Sequence, residues 1–403
     1  MRHPKEPRIW DRRIGRRDFL WRSTAGAAAL AGTGVWLAGC ETDSFTDEAL
    51  PYELSRPNQP VRLPLFDNNR PIADGLEPEG GTLKLYNYTE YNGPATLKKF
   101  EQEYGVSVEV STFTTMSEAV EKLRSGAVSY DVWFPTTDVL GRAVAGELIQ
   151  PLNHSYLSNL ERNIWPELVD PFYDRGSRYT VPYVLFTTGI GYRRDHVDVD
   201  PFELDNPYDL LWDPDYAGQI WILDDYRETL GMALLRDGYR DVNTIDPGRI
   251  DTARSSLQSL NGLVNVKIGI EAYTKVPEDQ AWIHQAWAGD IVNAQYYLPD
   301  GKGVIGSDQM AVVRGSDRPV LAHHFLNFML DPVNALENFE YTGYQPPQNS
   351  ISPESLVKDG YIAENIQSTV MRRRDLQEGH QLLLLPPVGE DLWQTAWSQF
   401  LAG

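Results

Sequence analysis

Thr82-Leu83-Lys84-Leu85-Tyr86-Asn87-Tyr88, running directly into Thr89-Glu90-Tyr91, is the stretch on which the fold turns. Its first seven residues alternate as a strand does, and the strand ends in a carboxylate flanked by phenol rings. Downstream, Pro94–Tyr104 carries Leu97, Phe100 and Tyr104 at helical spacing and stops at Gly105, a natural helix terminator. Val106–Val110 reads as a second strand. Thr115-Met116-Ser117-Glu118 is a capping box opening a helix that ends near Gly126, and Tyr130–Phe134 reads as a third strand. Strand–helix–strand–helix–strand implies right-handed crossovers and a parallel sheet. The alternation resumes with a strand at Gln219–Leu223 and a helix from Tyr226 to about Asp237. An amphipathic Ile250–Leu260, strands at Asp290–Ala294 and Met310–Val313, and a helix at Pro319–Leu330 follow. The fold class is α/β, in two lobes without internal repeats.

Upstream of Thr82 the chain changes character. Cys40, the one cysteine in 403 residues, ends Leu37-Ala38-Gly39-Cys40 behind an Ala/Gly-rich run. That run follows Arg16-Arg17-Asp18-Phe19-Leu20, a twin-arginine pattern. Ala25–Ala38 is shorter than the roughly 20 apolar residues a bilayer core requires, and the order of basic, apolar and small residues is that of a processed signal. Residues 1–39 are therefore expected to be a twin-arginine-type export signal with a lipobox, and Cys40 the lipidated first residue of the mature chain. Residues 40–81, rich in Pro, Asp, Glu and Asn, are expected to be a lipid-anchored linker. The body would then work at the outer face of the membrane, on the periplasmic or extracellular side.

Formal charge is −21 over the whole chain; the first 39 residues hold eight Lys/Arg and three Asp/Glu, so the remainder carries −26. A nucleic acid is excluded as partner, because phosphate backbones demand basic patches. A cationic ligand is electrostatically welcome. No glycine-rich phosphate loop, metal-ligand spacing or other cofactor motif occurs, and His323-His324 and Arg372-Arg373-Arg374 read as surface.

Ligands of open α/β sheets sit outside the carboxyl ends of strands. Three such places carry acids here: Tyr88-Thr89-Glu90-Tyr91, Asp224-Asp225-Tyr226-Arg227-Glu228, and Ser307-Asp308. Trp282, Trp287, Tyr296 and Tyr344 add rings. Acids beside aromatic faces suit a ligand that is both cationic and alkyl, since carboxylates accept from ammonium groups and ring faces attract the cation. Each site also has a local reading. Asp225 and Glu228 stand in the N-cap/N3 relation of a capping pair, Tyr86 and both tryptophans suit a core, and only Glu90 lacks an evident local task.

Tyr86–Tyr91, Tyr130-Asp131-Val132 with Pro135-Thr136, Val181-Pro182-Tyr183, Leu211–Gly218, Asp224–Glu228 and Thr342-Gly343-Tyr344 fall in an order that resembles the spermidine/putrescine-binding proteins of ABC transporters. The resemblance covers 82–403. It implies the two-lobed type II periplasmic-binding-protein fold, mixed sheets with helices on both faces, and a ligand cleft between lobes. Lobe 1 would take 82–187 and 307–352, lobe 2 188–306 and 353–403. The resemblance assigns Tyr88, Thr89, Glu90 and Tyr91 as the strand-end ring-and-acid group, and Thr136 as the hydroxyl after the third strand. It further assigns Asp225 and Glu228 as the acid pair for a terminal amine, Trp287 as a stacking ring, Asp308 as an acid for another amine, and Tyr344 as a hinge-side ring. Gly306 and Asp138 depart from the pattern, one losing a ring and the other adding an acid. The implied protein is a monomeric, non-enzymatic receptor that hands a polyamine to permease subunits, with its carboxylates ionised. A tethered glycosidase using paired acids, and a receptor for a sugar or another organic cation, are the alternatives.

Overall fold

The computed structural model describes residues 53–291, 294–298 and 303–403. The export signal and Cys40 lie outside the described residues. Among the described residues, eleven strands form one mixed sheet: β1 (Thr82–Tyr88), β2 (Ser107–Phe113), β3 (Val132–Trp133), β4 (Ile149–Gln150), β5 (Thr180–Tyr192), β6 (Ile220–Ile222), β7 (Lys267–Ile268), β8 (Ile283–Trp287), β9 (Gln295–Tyr297), β10 (Val304–Val313) and β11 (His380–Gln381). The main order is β2-β1-β3-β10-β5-β8-β6-β7. β1 pairs in parallel with β2 and β3, as the strand–helix alternation requires. β5 and β10 pair antiparallel along most of their lengths and are the crossover between the lobes. Their one end joins β3 and β4, and their other end joins β8 and β9.

The local signals behave as their chemistry dictates. Thr115 caps Met116–Ser125 by accepting from the Glu118 N–H, while the Glu118 carboxylate accepts from the Thr114 N–H at 3.0 Å. Gly105, at φ 66°, ends Pro94–Tyr104 in the left-handed conformation. β1 buries Leu83 and Leu85 in one core and Tyr86 in another; successive strand side chains point to opposite faces. Tyr86 stacks on Tyr130 at 4.3 Å. The second lobe has its own core, built from Ile220, Ile222, Leu230, Leu257 and, from the C-terminal helix, Trp393 and Trp397. Met371 and Leu376, in the segment expected in lobe 2, lie in the core of Leu83, Phe100 and Phe325.

Several expectations differ. Of the strand expected at Asp290–Ala294, Val292 and Asn293 lie outside the described residues; Asp290 ends a 3-10 turn over Ala288–Asp290, and a strand lies earlier, at Ile283–Trp287. Asp308 sits inside β10, at a register shift opposite Pro182 and Val184. Proline has no N–H for the ladder, and a bulge there takes up the mismatch. His323 is fully buried: its Nε2 accepts from the Asn153 N–H at 3.0 Å.

The stretch expected as a free spacer is, from Glu53 on, laid against the body. Val61 and Leu63 are buried in the Tyr86 core, the Val61 N–H donates to Phe172 at 2.7 Å, and the Arg175 N–H donates to Val61 at 3.0 Å. Glu79 accepts from Leu321 N at 2.8 Å and Val320 N at 3.3 Å, capping a helix whose own N-cap residue, Arg318, supplies no side-chain bond. Short apolar residues and helix-end donors hold this strap where composition alone suggested a linker.

Candidate functional site

The site is assembled where the two crossover strands meet the starts of lobe segments. The bulge in the crossover leaves Tyr183 as the extra residue of β5. Its hydroxyl donates to the Tyr91 carbonyl and accepts from the Asn92 and Asn338 amides at 3.0 and 2.9 Å. The turn after β1 is thereby pinned to β5, and the Tyr91 hydroxyl donates to Asp308 Oδ2. The Tyr91 ring packs edge-on against Tyr88 at 5.6 Å and Tyr344 at 5.1 Å. Thr136 bridges to Asp308. Among the described residues, the buried Thr136 Oγ1 and Asp308 Oδ1 have no hydrogen-bond partner.

The second lobe faces this group with the helix Tyr226–Arg236. Asp225 Oδ1 accepts from the Arg227 and Glu228 N–H groups at 2.9 and 3.0 Å. The capping reading is thus observed, and it does not remove the acid from the site: Asp225 is among the charges that raise the Tyr88 hydroxyl pKa, after burial, Asp308 and Asp138. Glu228 is 3% exposed, its Oε1 accepts from the Trp287 indole at 3.3 Å, and its Oε2 has no partner in hydrogen-bond geometry. Tyr344, from the first lobe, lies on Gly289 and donates to Asp290 at 3.1 Å. A Cβ at Gly289 would stand 2.5 Å from the Tyr344 ring, so glycine is what admits the contact.

Asp138, Asp225, Glu228 and Asp308 form no ion pair among the described residues. The nearby Arg227 directs its guanidinium away, to Leu383 O and Asn243 Oδ1. Burial consequently dominates. It pushes the Glu228 carboxyl up to about 8, with Asp225 adding to the rise and Thr188 and Trp287 opposing it. It pushes Asp308 up to about 7, opposed by the Tyr91 hydroxyl and reinforced by Asp138. Asp225 is raised by burial too, the Glu228 N–H opposing and Asp138 adding. Without a ligand, desolvation favours the neutral form of these acids; the Arg227 charge opposes it at Asp225 and Glu228 but does not cancel it.

The remaining candidates divide. Glu90 adopts a left-handed φ of 59°, and its Oε2 accepts from the Tyr341 hydroxyl; it has a local task after all, on a strained turn of the kind that clusters at functional sites. It is not among the acids acting on Tyr88. Thr89 is exposed on the same turn. Trp282 stacks on His196 at 4.5 Å, and the Tyr296 hydroxyl donates to Thr187 O at 2.9 Å. Sequence reasoning missed Tyr341, Thr188 and Phe186. The last two lie on β5, whose near-continuous burial leaves no alternation to read. A cavity of about 520 Å³ opens beside Ser307, between the strap's Arg56 and Asp241. None of the ten candidate residues lines it.

The chain belongs to the bacterial extracellular solute-binding protein family, whose model matches residues 95–364. It is similar to the spermidine/putrescine-binding periplasmic protein of Salmonella typhimurium, 30% identical over 290 residues, covering 68% of this chain and 81% of that one. The putrescine/cadaverine-binding protein of Pseudomonas aeruginosa is 28% identical over 292 residues, 67% and 80% of the two chains. Among solved structures, the spermidine/putrescine ABC transporter substrate-binding protein of Streptococcus pneumoniae superposes with TM-score 0.67 at 25% identity, covering 80% of this chain and 99% of that one. The fold is that of the type II periplasmic-binding proteins, and no described helix is long and apolar enough to cross a membrane.

Proposed function

We propose that the protein is an extracytoplasmic receptor that captures a polyamine between its lobes and delivers it to the permease of an ABC transporter. One observation carries the reading. Asp138, Asp225, Glu228 and Asp308 act on one another or on the Tyr88 ring; two of them are buried with an unpartnered oxygen, and among the described residues none is in an ion pair. Unpaired buried charge is costly, and a ligand bearing several ammonium groups is the partner that relieves it. The polyamine-binding names of the relatives point the same way. Asp308, with Asp138, would take an ammonium on the first-lobe side, and Asp225 with Glu228 one on the second. Tyr88, Tyr91, Trp287 and Tyr344 would pack the methylenes, Thr136 would accept from an ammonium, and Thr89 and Glu90 would form the rim.

The protein acts by binding and lobe closure, without a chemical step. We further infer a twin-arginine-type export signal over 1–39, a lipid on Cys40 that holds the receptor at the membrane, a monomeric state, and lobes of about the extents expected above except around Met371 and Leu376, which pack with the first lobe. Calorimetry on the full chain against putrescine, spermidine, spermine and neutral sugars tests the ligand class. Heat with sugars and none with polyamines would refute it. Cys40→Ser should move the protein from the membrane to the soluble fraction; unchanged partition removes the lipid.

A further inference from the structure

The crossover strands are closed to solvent almost throughout. Phe186 is the one residue of the thirteen in β5 that is not buried, and Gly306 is the one of the ten in β10. These two are register partners. Gly306 shares a strand face with Asp308, two residues on. A methyl group at Gly306 would overlap the Cζ edge of the Phe186 ring, so that ring occupies the volume a side chain at 306 would fill. Gly306 has no positive φ; what its missing side chain provides is room for the ring.

The ladder also fixes what lies on either side. Trp287 pairs with Thr188, and both act on the buried Glu228. Asp308 pairs with Val184. Thr188 and Val184 are four residues apart, about 13 Å along a strand, and Phe186 lies midway on the same face. The acids thus stand toward the two ends of this face with a partly open aromatic ring between them. A cation-bearing alkyl chain engaging both ends passes over that ring, which offers apolar surface to methylenes and a negative face to an inner ammonium.

We propose that Phe186 is the ring on which the inner segment of the ligand lies, supplied from β5 into the space vacated at Gly306, and that it sets affinity for chains long enough to reach both acid ends. This rests on the polyamine reading above. The test is calorimetric titration of the full chain with spermidine and putrescine, for wild type, Phe186→Ala, Phe186→Leu and the double variant Phe186→Ala/Gly306→Phe. Losing the ring should weaken spermidine binding about three- to thirty-fold. Phe186→Leu, which keeps apolar volume and so guards against misfolding, should show the weakening too, with melting confirming the fold. The double variant, which returns a ring from the opposite strand, should recover most of the loss. Leu and Ala variants within twofold of wild type, or a double variant no better than Phe186→Ala, would overturn the proposal while leaving the polyamine reading intact. Absence of heat from wild type with every polyamine would overturn both.

Discussion

Replacing Glu228 by glutamine removes a buried ionisable group and keeps an oxygen for the Trp287 indole. Burial and Asp225 raise this carboxyl from an ordinary 4.5 to about 8. An acid whose pKa is higher folded than unfolded supports folding fully below the unfolded value, and that support is lost as pH climbs through the folded one. Each pH unit across that window costs about 1.4 kcal/mol. The wild-type protein should therefore be penalised by about 3 kcal/mol at pH 7 relative to pH 4.5, and more by pH 8.5. The glutamine variant escapes this. Its stability advantage, read from denaturant unfolding without added polyamine, should be near zero at pH 4.5 and grow steadily to pH 8.5. The same variant should bind spermidine at pH 8 roughly ten- to a hundredfold more weakly, because it loses a charge-assisted hydrogen bond. A stability difference that does not change with pH would refute the burial argument. Unchanged affinity would take Glu228 out of the site.

At pH 6–7 a polyamine must ionise Asp308, which burial holds up at about 7. Binding should release protons, so heats measured in phosphate and Tris should differ, and Asp308→Asn should shrink the difference; equal heats in the two buffers contradict this. Leu63→Ala should destabilise the fold by about 2–5 kcal/mol in thermal or urea unfolding, since the strap is part of a core; a neutral effect would return the strap to the status of a linker. Gly289→Ala should force the Tyr344 ring off its seat, an overpacking worth about 1–3 kcal/mol. Polyamine affinity should fall about tenfold as the contact across the lobes loosens, and an unaltered affinity would show that the ring need not sit there.

The parts of the fold that could be read were those built by local chemistry. The Thr115 cap, the Gly105 stop and the β1 alternation are decided within a few residues, and they stand where the sequence places them. What could not be read is non-local. β5 is buried along nearly all of its thirteen residues, so the two-residue rhythm that marks a half-exposed strand is absent. The strap from Glu53 has the composition of a linker, and its docking depends on partners such as Phe172 and Leu321, far along the chain. His323 looked like a surface residue because nothing nearby in sequence foretells its acceptance of the Asn153 N–H. The candidate site divides in the same way. Asp225 and Glu228 announce themselves by cap spacing, whereas the desolvation that raises their pKa values comes from the packing of both lobes.

Gly306 carries the lesson furthest. In sequence it is a ring missing beside Asp308, which loosens the reading for spermidine and leaves the polyamine reading standing. In three dimensions the missing volume is filled by Phe186, its register partner on the neighbouring strand. Paired positions on one sheet face share a single space, so a side chain lost from one strand can be replaced from the other without moving the backbone. Asp138 is the converse case: it adds a carboxylate to a group in which burial already disfavours charge, and it raises both Asp308 and Asp225. On the proposal above, Phe186 supplies a ring beside Asp308 while Asp138 adds an acid. If the site binds a polyamine as proposed, such a change would retain packing for alkyl chains and add attraction for positive charge, and ligands with more ammonium groups should bind more tightly than those with fewer.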